Sequence, residues 1–504
     1  MKLNKTPTSP HKPLVHFIGI GGIGISALAR WFLALNRKSA VGRLIFDIDL
    51  AQKWRISGSD IAPSKITQEL TKEGIKVKIG HKKSNLDPKT ALVIYNQAIP
   101  AQNPELKEAK KRNIPVFSYP EAIGELTKKY KTIAVAGAHG KSTTTAFVAL
   151  TLIEAGLDPT VIVGTRLKEF GNKNFRYGGD TLVLEADEWK AAFLNYSPAH
   201  AIITNLDREH LDFYKNFSNV KKIFLKFIVN IKSDGILIVN KDDKNLFGLK
   251  SEIQKIAKRR NLKMYWYSAV TRHSASSRIK SVLKVPGKHN FSNALAAYTL
   301  AKNLGIKEKI ILKALNQYRG VWRRLEYRGN LKLKTLNPKH YGSKALIYDD
   351  YAHHPTEIKA SLQALREKYP SSKIICVFQP HQAERLRLLF KDFVNAFDDA
   401  DNLILLPVYE VPGRDKKNKK FTSEKLAKAI TFRNSKLPAR RSIGAGGEIR
   451  NSVIYLPNPK NLPHLIKSIL TPKPYPLIPT VIVMMGAGNI VKYTKLLLSS
   501  NSKS

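Results

Sequence analysis

Three times along the chain an apolar run passes directly into a tight turn and then into a helical pattern. The runs open at Leu14 (LVHFIGIGGIGISALARWFLAL), at Thr132 (TIAVAGAHGKSTTTAF) and at Ala345 (ALIYDDYAHHPTEIKASLQALREKY). Further strand patterns alternate with helical ones behind each opening: DTLVLEADEW, AHAIITNLDREHLDFY and DGILIVN in the second block, KIICVFQPH, NLILLPVY and TVIVMMGAGNI in the third. That alternation is the signature of parallel α/β sheets. A chain of 504 residues is also too long for one hydrophobic core. The expectation is therefore an α/β protein of three domains, spanning 1–127, 128–327 and 328–504.

The charge is the unusual total, with 85 lysines and arginines against 39 acids and a formal net of +46. Such a surplus favours polyanionic partners. Here, however, the basic residues are spread through segments such as KEAKKRN and GRDKKNKK, without an RGG tract, a zinc knuckle or a ribonucleoprotein aromatic motif. A solvated basic surface is the plainer reading, and no nucleic-acid partner is expected. The single cysteine, Cys376, excludes an intramolecular disulfide framework and fits a reducing compartment. The opening MKLNKTPTSPHKP is polar and broken by proline, and no run of about 18 uncharged apolar residues occurs. These features predict a soluble, cytoplasmic protein with no membrane span.

Gly19, Gly21 and Gly24 spell G-x-G-x-x-G after the first strand. Glycines there allow a tight turn and let a diphosphate approach the helix N-terminus, where unpaired N–H groups favour anions. A ribose-binding acid is wanted about 20 residues on. Asp47 or Asp49 competes for that place with Asp60, whose spacing fits only if the stretch from Asn36 to Lys53 is an insertion. An NAD site and a site for another diphosphate are equally open at this loop.

The second block carries a more specific pattern. In a P-loop, backbone N–H groups cradle phosphates, a lysine neutralises the β and γ oxygens, and the following hydroxyl binds magnesium. Gly137, Gly140, Lys141 and Ser142 supply the G-K-S ending, but Val135 occupies the position of the first Walker glycine, so the loop is a shortened form. The strand TLVLEADE ends in acids, and Glu185 is the first of them, placed where a magnesium ligand is wanted. Asp187 and Glu188 read as a solvated turn or a helix cap. The next strand delivers Asp207, His210 and Asp212 to the same edge, which favours metal coordination over an isolated structural histidine. Magnesium prefers oxygen, so Glu185 is a firmer ligand than His210.

HFIGIGGIGISALA, SGSD, AGAHGKSTTT, LEADE, ITNLDREHLDFY, PGKHNFSNALAA, GVWRRLEYRG, DDYAHHPTEI, FQPH and MGAGNI occur in this order. Together they resemble the Mur ligases, over nearly the whole chain and nearest to the alanine-adding branch. The resemblance implies a Rossmann-like domain for a UDP-sugar, a central ATPase domain and a C-terminal Rossmann-like domain. It implies that ATP and Mg2+ drive the joining of L-alanine to the lactyl carboxylate of UDP-N-acetylmuramate through an acyl phosphate. The first glycine loop (Gly19, Gly21, Gly22 and Gly24, with Asp60) then serves UDP rather than NAD.

Carried over by position, Gly137, Ala138, His139, Gly140, Lys141, Ser142 and Thr143 hold the triphosphate, with Ser142, Glu185 and His210 on metal. His289, Asn290 and Asn293 match the adenine-side motif, Arg324 faces the phosphates, and Asp350 reaches the nucleotide. Tyr351, His353 and Arg385 match positions near the amino acid. The catalytic set is thus Lys141, Glu185, His210, Arg324 and His353.

Departures from the family pattern are Gln382, where an arginine usually follows FQPH; Asn96 and Gln97, in place of a serine pair; and Asn489, where aspartate usually follows GAG. No lysine can be placed as a carbamylated metal bridge. The competing readings are a related ligase that attaches a preformed tripeptide to the same UDP-sugar, a polyanion-binding protein, and an NAD oxidoreductase resting on the glycine loop alone.

Overall fold

The computed structural model describes residues 12–36, 53–270, 274–332, 344–410, 420–436, 452–470 and 479–499, and the backbone of the short strands Leu44–Ile45, Ile48–Asp49, Arg440–Arg441 and Glu448–Ile449. Asp47 lies outside the described residues, as do the side chain of Asp49 and most of the expected insertion. No helix among the described residues is long and apolar enough to cross a membrane.

The first sheet is built from β1 (Leu14–Ile18), helix α1 (Ile23–Leu35), β2 (Arg55–Asp60), β3 (Lys76–Ile79), β4 (Thr90–Tyr95), α2 (Pro104–Lys111), β5 (Val116–Ser118) and α3 (Tyr119–Lys129). Its strands run parallel in the order β3-β2-β1-β4-β5. As the central strand, β1 has every residue of LVHFI buried, and a histidine in that run needs a partner. His16 Nε2 lies 2.8 Å from Glu105 Oε2, and its Nδ1 lies 2.8 Å from Ser57 Oγ. Glu105, 0% exposed, also accepts hydrogen bonds from Ser59 Oγ at 2.7 Å and Asn85 Nδ2 at 2.9 Å, and its Oε1 is 3.0 Å from His81 Nδ1. Burial alone would raise the carboxyl pKa, but the bonds from His16, Ser59 and Asn85 outweigh it and hold the group at about 2. The carbonyl of Ser59 accepts from the N–H groups of Gly19 and Ile20 at 2.8 and 3.0 Å, so this polar cluster sits beneath the glycine turn.

The second sheet comprises β6 (Lys131–Ala136), α4 (Lys141–Glu154), β7 (Thr160–Leu167), β8 (Lys173–Arg176), β9 (Thr181–Glu185), β10 (His200–Ile203), β11 (Ile236–Asn240) and β12 (Lys263–Tyr267), with α5 (Lys288–Asn303) following. The order is β8-β7-β9-β6-β10-β11-β12, parallel except for the β7–β8 pair. Because β6 lies between β9 and β10, the P-loop that leaves it opens between Glu185 at the end of β9 and the Thr204–His210 segment after β10.

The third sheet comprises β13 (Glu326–Lys332), β14 (Lys344–Asp350), α6 (Pro355–Lys368), β15 (Lys373–Phe378), α7 (Ala383–Leu388), β16 (Asn402–Leu405), β17 (Ser452–Tyr455) and β18 (Thr480–Met485). Its order is β13-β14-β18-β15-β16-β17, with only β13 antiparallel. Along β15, Ile374, Cys376 and Phe378 enter one core while Ile375 and Val377 enter another, which explains the unbroken apolar run. Burial pushes the Cys376 thiol well above its ordinary pKa.

The architecture is the expected α/β one, with three parallel-sheet domains. The first two sheets share one compact unit; the third lies in another, together with residues 211–215 and 283–291. The division expected at 128 falls near the end of α3, and that at 328 falls inside β13.

Removing the acceptor of the buried cluster should be costly. Glu105→Ala is expected to lower the unfolding free energy by about 3 kcal/mol in urea denaturation, because the buried donors lose their shared acceptor. Since the native pKa of Glu105 is depressed from 4.5 to about 2, its stabilisation is complete above about pH 4.5 and is lost as pH falls toward 2. The gap between variant and parent should therefore narrow in acid.

Candidate active site

At the first sheet, Gly19 takes a φ of +75°, which turns the chain sharply out of β1 toward α1. The N–H of Gly21 donates to Asp60 Oδ2 at 2.8 Å. Among the described residues, Asp60 is thus the candidate acid placed beside the loop, where it binds a loop amide. Gly22 and Gly24 are required by close neighbours: a Cβ at Gly22 would strike the Asn96 amide, and one at Gly24 would lie 2.8 Å from Cζ of Tyr119. Gln97 reaches the other side of this region, its Nε2 donating to the Lys190 carbonyl at 3.4 Å while Lys190 Nζ donates to the Gln97 carbonyl at 3.4 Å.

In the second sheet the P-loop is shaped by Gly137 and Gly140, with φ of +140° and +80°. A side chain at Gly137 would collide with Thr204 Oγ1, and one at Gly140 with Asn293 Oδ1, so Asn293 of α5 lies directly against the loop. The N–H of Ala138 donates to the Asn205 carbonyl at 3.1 Å, and that of His139 to Asn205 Oδ1 at 2.8 Å. His139 Nε2 lies 2.9 Å from Asp207 Oδ2. Thr143 is buried within α4.

Lys141 opens α4 and curls back over the loop. Its Nζ donates to the carbonyls of Gly137 and Ala138 at 2.7 and 3.0 Å and lies 2.8 Å from Glu188 Oε2. Ser142 Oγ donates to Glu185 Oε1 at 3.0 Å, and the N–H of Gly164 donates to Glu185 Oε2 at 2.6 Å. His210, with a φ of +53°, brings Nε2 to 3.7 Å from Glu188 Oε1. Asp187, Glu188 and His210 offer ligand atoms within 4.8 Å of one another.

Glu188 therefore corrects the expectation of a solvated turn or cap. It is 2% exposed, and its side chain makes no cap bond to the short helix it precedes. A buried lysine needs a counter-ion, and Glu188 provides it. Burial raises Glu188 to about 7 against the pull of Lys141, and burial also raises Glu185. Burial disfavours the Lys141 cation, yet Glu188, Asp187 and Glu185 together push its pKa above the ordinary lysine value, so the ammonium stays charged. Which acid of EADE turns inward is not encoded in its local pattern, so only the lysine's need for a partner could have pointed to Glu188.

The other expected residues belong to the second unit. The carboxylate of Asp350 accepts from the N–H groups of Leu325 and Ala352 at 3.1 and 2.7 Å and from Ser361 Oγ at 3.0 Å. Arg324 Nη1 donates to Glu357 Oε1 at 3.1 Å, and Glu357 Oε2 accepts from the N–H of His353 at 3.1 Å. Tyr351 presents its ring to Arg323 and Arg324, 5.0 and 5.3 Å from their guanidinium carbons. Glu357 was absent from the expected set, although its place one turn into α6 puts it on the face that follows His353. Burial, aided by Arg324, lowers the His289 pKa to about 4, so the imidazole is neutral at physiological pH. Asn290 Nδ2 donates to the Pro286 carbonyl at 2.7 Å. Arg385 opens toward His381 and Gln382, its Nη1 3.2 Å from Gln382 Oε1.

Comparison with known proteins accounts for this arrangement. The family descriptions "Mur ligase family, catalytic domain", "Mur ligase middle domain" and "Mur ligase, glutamate ligase domain" match residues 50–131, 135–301 and 338–488. A UDP-N-acetylmuramate–L-alanine ligase of Aquifex aeolicus is 40% identical over 407 residues, covering 78% of this chain and 83% of that protein. The chain belongs to the Mur ligase family. The Mur ligase fold is equally clear in solved structures. A UDP-N-acetylmuramate–alanine ligase of Thermotoga maritima superposes with a TM-score of 0.71 at 24% identity, covering 98% of this chain and 99% of that one. A murein peptide ligase of Psychrobacter arcticus gives 0.62 at 21% identity, with the same coverages of 98% and 99%.

In this Mur ligase the Lys141 cation is the counter-charge of a buried acidic group, which fixes the pH behaviour of a variant lacking it. Lys141→Met leaves Glu188 and Glu185 unneutralised, so their native pKa values rise further. An acid whose native pKa is raised loses stability as pH climbs through that value. In metal-free buffer the variant should therefore lose stability relative to the parent as pH rises above about 7, as read by thermal unfolding. A difference independent of pH would contradict the assigned charge balance.

Proposed function

We propose that this Mur ligase joins L-alanine to the lactyl carboxylate of UDP-N-acetylmuramate, converting ATP to ADP and phosphate, as a cytoplasmic step of peptidoglycan precursor synthesis. The observation that carries the proposal is the shortened P-loop with Lys141 on Glu188 and Ser142 on Glu185, in an ATP-dependent ligase family and in a chain similar over most of its length to an alanine-adding enzyme.

A carboxylate is a poor acyl donor because oxide would have to leave. Transfer of the γ-phosphoryl group to a lactyl carboxylate oxygen gives an acyl phosphate and ADP. The alanine amine then attacks the acyl carbon, the tetrahedral intermediate expels phosphate, and the amine proton passes to solvent as the amide forms. Catalysis of such a transfer is mainly alignment and neutralisation of charge. The loop from Gly137 to Thr143 is assigned to the phosphates, which the N–H groups at the start of α4 would meet, and Lys141, which rests against loop carbonyls, can pivot to the transferring group.

Magnesium fits the donors that converge here, because a hydroxyl and several carboxylates are hard oxygen ligands. Ser142 and Glu185 would hold it, with Glu188, Asp187 and His210 available to a second ion. When bound, it supplies Lewis-acid neutralisation of phosphate charge. Gly19, Gly21, Gly22, Gly24 and Asp60 frame the start of α1 for the UDP diphosphate. His289, Asn290, Asn293 and Asp350 are assigned to the nucleotide, and Arg324 to phosphate charge. Tyr351, His353 and Arg385 are assigned to the amino acid, whose carboxylate suits a guanidinium.

Purified protein given ATP and UDP-N-acetylmuramate should release phosphate only when L-alanine is added. Release that depends instead on a preformed tripeptide would replace this proposal with the recycling reaction. Lys141→Ala should reduce turnover by at least about a thousandfold, and near-normal turnover would remove Lys141 from the mechanism. Gln382→Arg should not be needed for activity in either case.

A further inference from the structure

Gln382 occupies a backbone conformation that glycine favours, although it carries a long polar side chain. Its φ is +70°, and it is 8% exposed at the turn between Pro380 and α7. A non-glycine residue held in this region is strained, and such strain persists where the surroundings, often a functional site, require it. Helix capping does not explain the residue, because Gln382 sits at the N-cap of α7 without any side-chain cap bond. Its side chain is committed elsewhere.

Gln382 Oε1 accepts a hydrogen bond from Arg385 Nη1 at 3.2 Å, and the same nitrogen lies 3.3 Å from His381 Nδ1 and 3.4 Å from the His381 carbonyl. The backbone N–H of Gln382 donates to the Tyr409 carbonyl at 2.9 Å. The His381 ring lies parallel to that of Tyr409, centroids 5.5 Å apart at 14°, and edge-on to His353 at 5.9 Å. His353 in turn stands 5.3 Å from Tyr351. The left-handed turn thus ties one residue to Tyr409 through its backbone and to Arg385 through its amide, next to the row of rings Tyr409, His381, His353 and Tyr351.

We propose that Gln382 is a positioning residue for the amino-acid substrate, its amide oxygen holding the Arg385 guanidinium in the plane from which it pairs with the substrate carboxylate. This rests on the assignment of Arg385 to that carboxylate. A guanidinium pairs best when both of its parallel N–H groups meet the two carboxylate oxygens, so its orientation sets the affinity. The amide supplies orientation without a charge of its own: an acid at 382 would neutralise Arg385, and a hydroxyl would be too short to reach it.

The test separates the side chain from the backbone. In Gln382→Gly the strain at φ +70° is relieved, so the full-length variant should melt at the parent temperature or above it. Its KM for L-alanine should nevertheless rise about tenfold, with kcat and the KM for ATP within about twofold of the parent. Gln382→Met, which keeps the bulk and lacks the acceptor, should give the same rise, and it serves if the glycine variant folds poorly. Arg385→Ala should raise the KM for L-alanine further, and adding Gln382→Gly to it should change nothing more, since coupled residues are not additive. If Arg385→Ala raises this KM while both Gln382 variants leave it within twofold, the positioning role is overturned and the function of Arg385 stands. If Arg385→Ala leaves it unchanged, the carboxylate assignment fails and the role of Gln382 fails with it.

Discussion

One cation paired with a buried acid organises the glycine loop. The chain folds Lys141 back onto its own loop carbonyls and onto Glu188, beside Glu185 and Asp187. A lysine buried without partners would lose its proton, and carboxylates buried without a cation would gain one. Held together, the lysine keeps its charge, while burial still raises Glu188 to about 7. The arrangement suits a ligand such as nucleotide triphosphate with metal, which brings both signs of charge and can exchange partners with each side of the existing pair. Such an exchange substitutes one ion pair for another and avoids exposing a bare buried charge.

The sheet topology supplies the rest. With β6 flanked by β9 and β10, the hydroxyl of Ser142, the carboxylate of Glu185 and the segment ending at His210 issue from neighbouring strands at the same edge. The first sheet repeats the device around β1, whose neighbour β2 ends in Asp60. The third repeats it around β18, flanked by β14 and β15, which lead into Tyr351 and Gln379 respectively. Parallel strands gather distant stretches of sequence at their carboxyl ends, and ligand sites of open α/β sheets are found there.

Much of this was legible from residues alone because glycine, lysine and strand-end acids have local causes. Gly137 and Gly140 take positive φ, Ser142 meets Glu185, and Gly19 turns out of β1. What escaped the sequence were partnerships between residues whose spacing carries no period. Glu188 looked like one more solvent-facing acid of EADE until its burial against Lys141 was seen. Glu105 lies in a charged helical stretch, NPELKEAKK, with nothing nearby to announce that it hydrogen-bonds a histidine 89 positions earlier. The same holds for Glu357, which bridges Arg324 and His353. Apolar periodicity predicts what is buried; which charges follow it inside depends on the long-range pairing that the finished fold creates.

The lone thiol gains a use from its position. Cys376 lies on β15 with 0% exposure, between neighbouring strands and against a packed core. Reagents that attack thiolates will pass over the native molecule and react only when the third sheet opens. Every other part of the chain is silent toward them, because there is no second cysteine. The rate of thiol labelling therefore measures the opening of one sheet in isolation, a natural clock on the local unfolding of the third domain that needs no engineered probe.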